Sequence, residues 1–310
     1  MANEIVFTGL GDLMLSEVLS GKYLLLLADR NALPSHPAIA LGYQKDCAGA
    51  GSNVFKVPHV GIFGYDILAT GTEGASTANS AFSDSSSTLT VVQKDKVYQA
   101  SDLARMVDAN GLIRQDIFAL DAVVSASATS LDMVANLVDN FSATVGSSGV
   151  NATAANYLEC IATLEIAQVV GPYLSIQHPR QWADIRNDVA TASGGAIQWN
   201  AGSQALLDMA MKGLGAQGNY MGVDVFTTTR VPTANAGADR AGGMFGAGAI
   251  IWADGTIPSE MDANQMVLAD KVLFERIREG RAGLTSYLTR KFMGFSEGID
   301  AAGVSLITDA

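Results

Sequence analysis

Few residues in this chain are arranged for chemistry. The best match is Gly294-Phe295-Ser296-Glu297-Gly298, which fits the Gly-x-Ser-x-Gly pattern of a nucleophile elbow. That chemistry needs a sharp strand-to-helix turn, an acid, and a histidine later in the chain. Only 12 residues follow Gly298, and none is histidine. The motif therefore reads as a Gly-flanked turn between strands. The histidines are His36, His59 and His178, and they do not cluster. His36 and His178 each precede proline, which restrains them to extended backbone. No His-Glu-x-x-His pair is present, so no metal is expected. Gly9-Leu10-Gly11 and Gly246-Ala247-Gly248 lack the third glycine of a dinucleotide fingerprint, and no Gly-Lys-Ser/Thr phosphate loop exists. Cys47 and Cys160 lie far apart, too few for a disulfide framework or a zinc site, and read as buried thiols of a reducing compartment. No catalytic, cofactor-binding or metal-binding residue is assigned, and the chain is expected not to be an enzyme.

Charged groups give a similar picture. Six of the 19 basic residues, Lys271, Arg276, Arg278, Arg281, Arg290 and Lys291, fall between positions 271 and 291. They suit either an anion-facing or inter-subunit patch, or an element face paired with Glu275 and Glu279. The second reading is preferred. Met209, Met211 and Met221 read as core filler.

The elements that would position such residues carry more information. The chain has 310 residues, with 48% hydrophobic and only 16% charged, so it can bury a sizeable core. Small residues supply much of the apolar content, with 32 glycines. A formal charge of −12 argues against a protein that grips phosphate backbones. Glu4 comes early and no basic region precedes an apolar run, so a secretory signal is not expected; the chain should be soluble and fold in cytosol.

Residues 1–55 read as an irregular arm, with one apolar knot at 23–28. Residues 54–67 alternate like a strand, and Pro58 suggests a sheet edge. From 69 to 90, 17 of 22 residues are Ala, Gly, Ser or Thr, a composition that packs no core of its own. Strand character resumes over 89–98, so the two strands and their Ser/Thr tip make an extended hairpin. Residues 116–142 hold the clearest helix. Ile117, Leu120, Val124, Ala128, Leu131, Ala135 and Val138 recur at steps of three and four, over a length of about 40 Å. A second helix follows at 154–170, capped by Asn151 or Thr153. Beyond it come a short strand from Tyr173, a short helix at 204–214, a strand at 223–231, a small-residue loop at 233–243, and a further segment at 244–253 that turns at Asp254-Gly255. Residues 264–278 are open between helix and strand. Strands close the chain at 284–295 and 304–308. An arm without a core, a protruding hairpin and a long helix expose more surface than a lone subunit should, so neighbours must bury it.

This order of parts resembles the major capsid protein of tailed bacteriophages, with its HK-ninety-seven-like fold. His178-Pro179-Arg180-Gln181-Trp182, Val231-Pro232 before a Gly-rich loop, and the closing segment 298–307 are similar to segments of phage coats. The resemblance implies an α+β fold: an N-terminal arm at 1–53, an extended loop at 54–100, a peripheral domain with a spine helix at 101–153, an axial domain at 154–262, and a return to the peripheral domain at 263–310. It also implies self-assembly into hexamers and pentamers of an icosahedral shell around double-stranded DNA. Scaffolding, portal and decoration proteins would be partners, the virion would be the location, and assembly would take place in the host cytoplasm. The chain begins directly in the arm, so a scaffolding segment would be already removed or supplied separately. Deleting residues 71–87 is expected to abolish shells. An encapsulin-like compartment shell, a tail-tube protein and a serine hydrolase acting through Ser296 are the alternatives.

Overall fold

The computed structural model describes residues 4–5, 36–40, 44–46, 50–60, 84–108, 115–191, 216–255, 265–267 and 271–309. In chain order these form β1 (Glu4–Ile5), α1 (Pro37–Ala40), β2 (Gln44–Asp46), β3 (Val54–Val60), β4 (Asp84–Thr90), β5 (Val92–Ser101), α2 (Asp102–Val107), α3 (Gln115–Leu137), β6 (Thr144–Val145), α4 (Ala154–Ile166), β7 (Tyr173–Gln177), α5 (Pro179–Thr191), β8 (Ala216–Tyr220), β9 (Val223–Thr227), β10 (Thr233–Ala234), β11 (Asp239–Phe245), β12 (Ile250–Gly255), β13 (Gln265–Val267), β14 (Leu273–Glu279), β15 (Leu284–Glu297) and β16 (Gly303–Asp309).

Two mixed sheets result. The first runs β1-β5-β15-β12-β2, with β14 also on β15 and β13 on β14. β15 is its axis, rich in β-branched and aromatic residues that suit a pleated surface. It pairs antiparallel with β5 along Leu284–Met293 and with β12 along Phe292–Glu297. The second sheet runs β6-β16-β11-β7-β9-β8, with β10 on β11. The C-terminal third is thus shared, β14 and β15 lying in the first sheet and β16 in the second.

The long helix joins the two cores. At its start Phe118 stacks on Tyr287 at 4.6 Å, and Ala122 and Ala126 lie in the same cluster as Phe274. At its end Leu131, Val134 and Val138 enter the core of the second sheet with Phe141 and Phe245. The expected stripe holds in the second half, at Ala128, Leu131, Ala135 and Val138. In the first half it shifts to Phe118, Ala122 and Ala126, while Ile117 and Val124 are only half-buried. The ring stack on Tyr287 and the small side chains that let helix and sheet approach set that face. The helix proper stops at Leu137 and closes in a 3₁₀ turn, Val138–Asn140, short of residue 142. α4 begins as expected, with the Thr153 hydroxyl accepting from the Asn156 amide at 3.2 Å.

Several expectations need correction. The arm is not irregular where described: β1 adds in parallel to β5, and β2 to β12. The hairpin partner of β3 is β4, inside the Ser/Thr-rich stretch, with Val54 opposite Thr90 and Val60 opposite Asp84. The strand that resumes afterwards, β5, leaves the hairpin for β15. The second part of the loop expected at 233–243 is core strand from Asp239 on, because β11 lies between β16 and β7. Small residues are required there. A Cβ on Gly242 would stand 2.6 Å from Gln177 Oε1 and 2.7 Å from Gln181 Oε1. Asp254-Gly255 ends β12, paired with Met293 and Phe292. The strand expected at 223–231 stops at Thr227, and residues 265–267 and 273–279 are strands. Met221 is an exposed turn residue with φ 53°, not core filler, because Tyr220 takes the buried position beside it. The knot at 23–28 and the helix at 204–214, with Met209 and Met211, lie outside the described residues.

Candidate assembly surface

The Gly294–Gly298 motif is not a turn and presents no elbow. Gly294, Phe295 and Ser296 lie within β15, with Ser296 opposite Ile251 of β12. The Ser296 hydroxyl donates to the Thr88 carbonyl of β4 at 3.0 Å. The Ser87 hydroxyl donates in return to the Gly298 carbonyl at 2.7 Å. Gly294 is bare because β4 passes over it: a Cβ there would overlap the Thr90 carbonyl oxygen and stand 2.9 Å from its carbon. Around this contact Phe55, Val57, Leu89 and Val91 of the hairpin side bury against Ile251, Ala253 and Phe292. Residues 294, 296 and 298 therefore make a seat for the hairpin.

Sequence reasoning missed this role, although a signal exists. Gly, Ser and Gly at alternate positions of a strand share one face, and such a face admits another backbone. Gly294→Val should unseat the hairpin while leaving both sheets formed, at a cost of about 1–3 kcal/mol. Limited proteolysis should then cut between residues 54 and 91 faster than in the wild type, with unchanged far-ultraviolet circular dichroism.

The other hairpin face points away from its own chain. Val54 is exposed there with Lys56, Pro58, Ser86 and Thr88. β5, leaving the hairpin, is tied to α3: the Lys96 ammonium donates to Asp121 at 2.8 Å and to Ser125 at 2.7 Å, and the Tyr98 hydroxyl donates to Asp121 at 2.8 Å. Burial works against the Lys96 charge, but the hydrogen bonds and the Asp121 charge prevail and hold the ammonium above its usual range.

Two helices leave large apolar side chains in water. α2 exposes Leu103 and Met106, the latter at 77%, with Val107 beside them. α4 turns Tyr157, Cys160 and Leu164 inward, yet exposes Leu158 and, at 82%, Ile166, followed by Val170. A helix that is apolar on both faces is a contact surface or a solubility liability.

Three of the basic residues of 271–291 are seen in ion pairs whose partners are aspartates other than the expected Glu275 and Glu279. Arg278 makes a two-pronged bond to Asp102, at 3.1 and 2.9 Å. Arg290 meets Asp95 at 3.2 Å, and Lys271 meets Asp254 at 2.8 Å. Strand neighbours point to opposite faces, so the partners come from across the sheet.

The histidines stay apart. His36 Nε2 contacts Asp224 at 2.9 Å, fastening the start of α1 to β9. His178 is held below its usual value by burial and by Arg240. The side chain of His59, and all of Cys47 and Gly9–Gly11, lie outside the described residues. Burial, with the Glu159 charge, pushes the Cys160 thiol up to about 12, so it is not a thiolate nucleophile. Gly246-Ala247-Gly248 forms the turn from β11 to β12, and its Gly248 carbonyl accepts from the Ile299 amide at 3.0 Å. Among the described residues no group of three or more His, Cys, Asp or Glu could hold a metal ion, and no helix is long and apolar enough to cross a membrane.

Comparison of the whole chain with solved structures gives many likenesses of fold. The capsid of Ralstonia phage GP4 superposes with a TM-score of 0.62 at 10% identity, covering 87% of each chain. The capsid of Cyanophage P-SCSP1u gives 0.56 at 11% identity, covering 86% of each. The holo-SrpI encapsulin complex of Synechococcus elongatus PCC 7942 gives 0.54 at 12% identity, covering 87% of this chain and 86% of that one. No protein-family model matches the chain, and no curated protein matches it in sequence. The chain has the α+β, HK-ninety-seven-like fold of phage capsid structures.

Proposed function

We propose that this chain is the major capsid protein of a tailed bacteriophage, a structural subunit without catalysis. Copies assemble into hexamers and pentamers of an icosahedral shell around double-stranded DNA. The observation that carries this reading is the likeness to the Ralstonia phage GP4 capsid over 87% of both chains. Three features support it. The hairpin spends one face on its own sheet and turns the other outward. α2 and α4 present apolar side chains that a second copy can cover. A net charge of −12 keeps free subunits soluble and leaves the genome unclamped.

In this reading residues 1–53 are the arm, 54–100 the extended loop lying over an adjacent copy, 101–153 the peripheral domain with its spine helix, 154–262 the axial domain, and 263–310 the return. Scaffolding, portal and decoration proteins are further partners. Assembly takes place in the host cytoplasm, and the finished protein resides in the virion. Many modest contacts per copy then add up to a stable shell.

The encapsulin likeness favours a second reading, a compartment shell that houses a protein cargo. Negative-stain electron microscopy of the expressed protein, with nucleic acid and protein assays of particles recovered from its source, tests both. Closed shells with DNA support the capsid, and closed shells with an enclosed enzyme support the compartment. Open tubes would point to a tail tube, and a permanently solitary subunit would overturn shell formation altogether.

A further inference from the structure

The outer faces of α4 and α5 are opposite in charge. On α4, Tyr157, Cys160 and Leu164 face the core. The other side exposes Ala155, Leu158, Ala162 and Ile166 at steps of three and four, and Val170 extends it past the helix end. The charged residues of this helix are Glu159 and Glu165, both exposed, and it carries no lysine or arginine. The face is therefore apolar along its middle and acidic at its margins.

α5 is built the other way round. Gln181, Trp182 and Ile185 are buried, whereas Arg180, Ala183, Arg186 and Asn187 are exposed. Both carboxylates of the helix are engaged within their own chain. Asp188 accepts from the Ala154 amide, at the start of α4, at 2.9 Å. Asp184 sits 3.7 Å from Arg180, a loose pair that leaves the arginine side chain 68% exposed and the aspartate 15%. The charge that α5 turns outward is thus basic, on either side of Ala183.

We infer that α4 of one copy packs against α5 of the next copy, head to tail, around the axis of a ring. This rests on the shell reading above and names one contact within it. Small side chains lie at the middle of both faces, Ala155 and Ala162 on α4 and Ala183 on α5, so the helices can approach to the separation of about 8–10 Å of an ordinary packed pair. Leu158 and Ile166 then leave water, which drives the association. Glu159 and Glu165 meet Arg180 and Arg186, which sets direction and register. Two α4 faces laid on each other would oppose carboxylates, and two α5 faces would oppose guanidinium groups, so neither face suits its own copy. A contact between two different faces passes from copy to copy and can close a ring, whereas a self-complementary face stops at a dimer.

Charge reversal on the full chain tests the pairing. Glu159→Arg with Glu165→Arg, and separately Arg180→Glu with Arg186→Glu, set like charges across the contact. Each double variant should lower the yield of sedimenting particles by at least about tenfold. All four side chains are exposed, so both variants should melt close to the wild type. The chain with all four substitutions restores opposite charges and should recover particles. A second readout does not need shells. Ala162→Cys and Ala183→Cys are made in separate chains, mixed at high concentration and oxidised with diamide. The mixture should give a disulfide-linked dimer that neither chain gives alone. Normal particles from either double variant, no recovery in the fourfold one, a dimer from Ala162→Cys alone, or no mixed dimer would each overturn the inference. A wild-type chain that gives no shells while the mixed dimer forms would fail the shell reading and keep the contact. Shells without the mixed dimer would keep the shell and fail the contact.

Discussion

Gly243→Val should leave no cooperatively folded protein. β11 lies between β16 and β7, and seven residue pairs join it to β16. A Cβ at position 243 would overlap Val138 Cγ1 and the Val304 carbonyl oxygen, and would stand 3.3 Å from Ser305 Cα. Two of these three obstacles are backbone of the paired strand, so no rotamer change relieves them. The third belongs to the 3₁₀ turn that ends the long helix, which is buried in the same core. Overpacking in a core that can yield costs about 1–3 kcal/mol. Here the ladder itself must part, so the loss should exceed that range and approach the whole stability, about 5–15 kcal/mol for an ordinary protein. Gly280→Ala is the control. It follows β14, meets nothing within 4 Å, and should change stability by less than about 0.5 kcal/mol. Calorimetry and near-ultraviolet circular dichroism distinguish the two outcomes. A wild-type melting transition in Gly243→Val would show that β11 does not lie where the ladder puts it.

That glycine also shows where sequence reasoning stopped. Gly242 and Gly243 sit in a run of small residues, and small residues signal loops when read locally. What makes them core is the approach of Gln177, Gln181, Val138 and Val304, all far away in the chain. No window around position 243 contains that information. The long helix was legible because its periodicity is local, and its stripe was correct wherever burial followed that periodicity. It drifted at Phe118, whose position is set by a ring stack on Tyr287, 169 positions away. β15 was legible as a strand over 284–295, two residues short of its end at Glu297. The hairpin was legible as an extended excursion, but not in its register, since serine and threonine announce a tip as readily as an edge strand. The seat at 294–298 was misread as a turn because its flanking glycines signal turns when read locally, whereas its real partner, β4, lies more than 200 positions earlier. The exposed side chains of α2 and α4 were not anticipated individually. The reason to expect such surface was already present in the order of parts, an arm without a core, a protruding hairpin and a long helix.

Removing the hairpin tip should abolish closed shells while the subunit still folds. The structure changes where the cut belongs. A deletion of 71–87 would take Asp84–Ser87 out of β4, and with it the Ser87 bond to Gly298. Loss of assembly would then be inseparable from loss of the seat. A deletion of 71–83 keeps every residue of both paired strands. Val60 and Asp84 are cross-strand partners, so residues 61–70 remain to join them. A connection of about ten residues closes at little entropic cost, since loop entropy grows only slowly with length. The buried contacts of Phe55, Val57, Leu89 and Val91 all lie outside the excised segment. The shortened subunit should therefore melt within a few degrees of the wild type. What it loses is reach: if the loop holds the shell by lying over an adjacent copy, sedimentation and electron microscopy should find single subunits or small rings. Normal particles from this deletion would assign the hairpin to its own chain alone and leave the apolar faces of α2 and α4 to carry assembly.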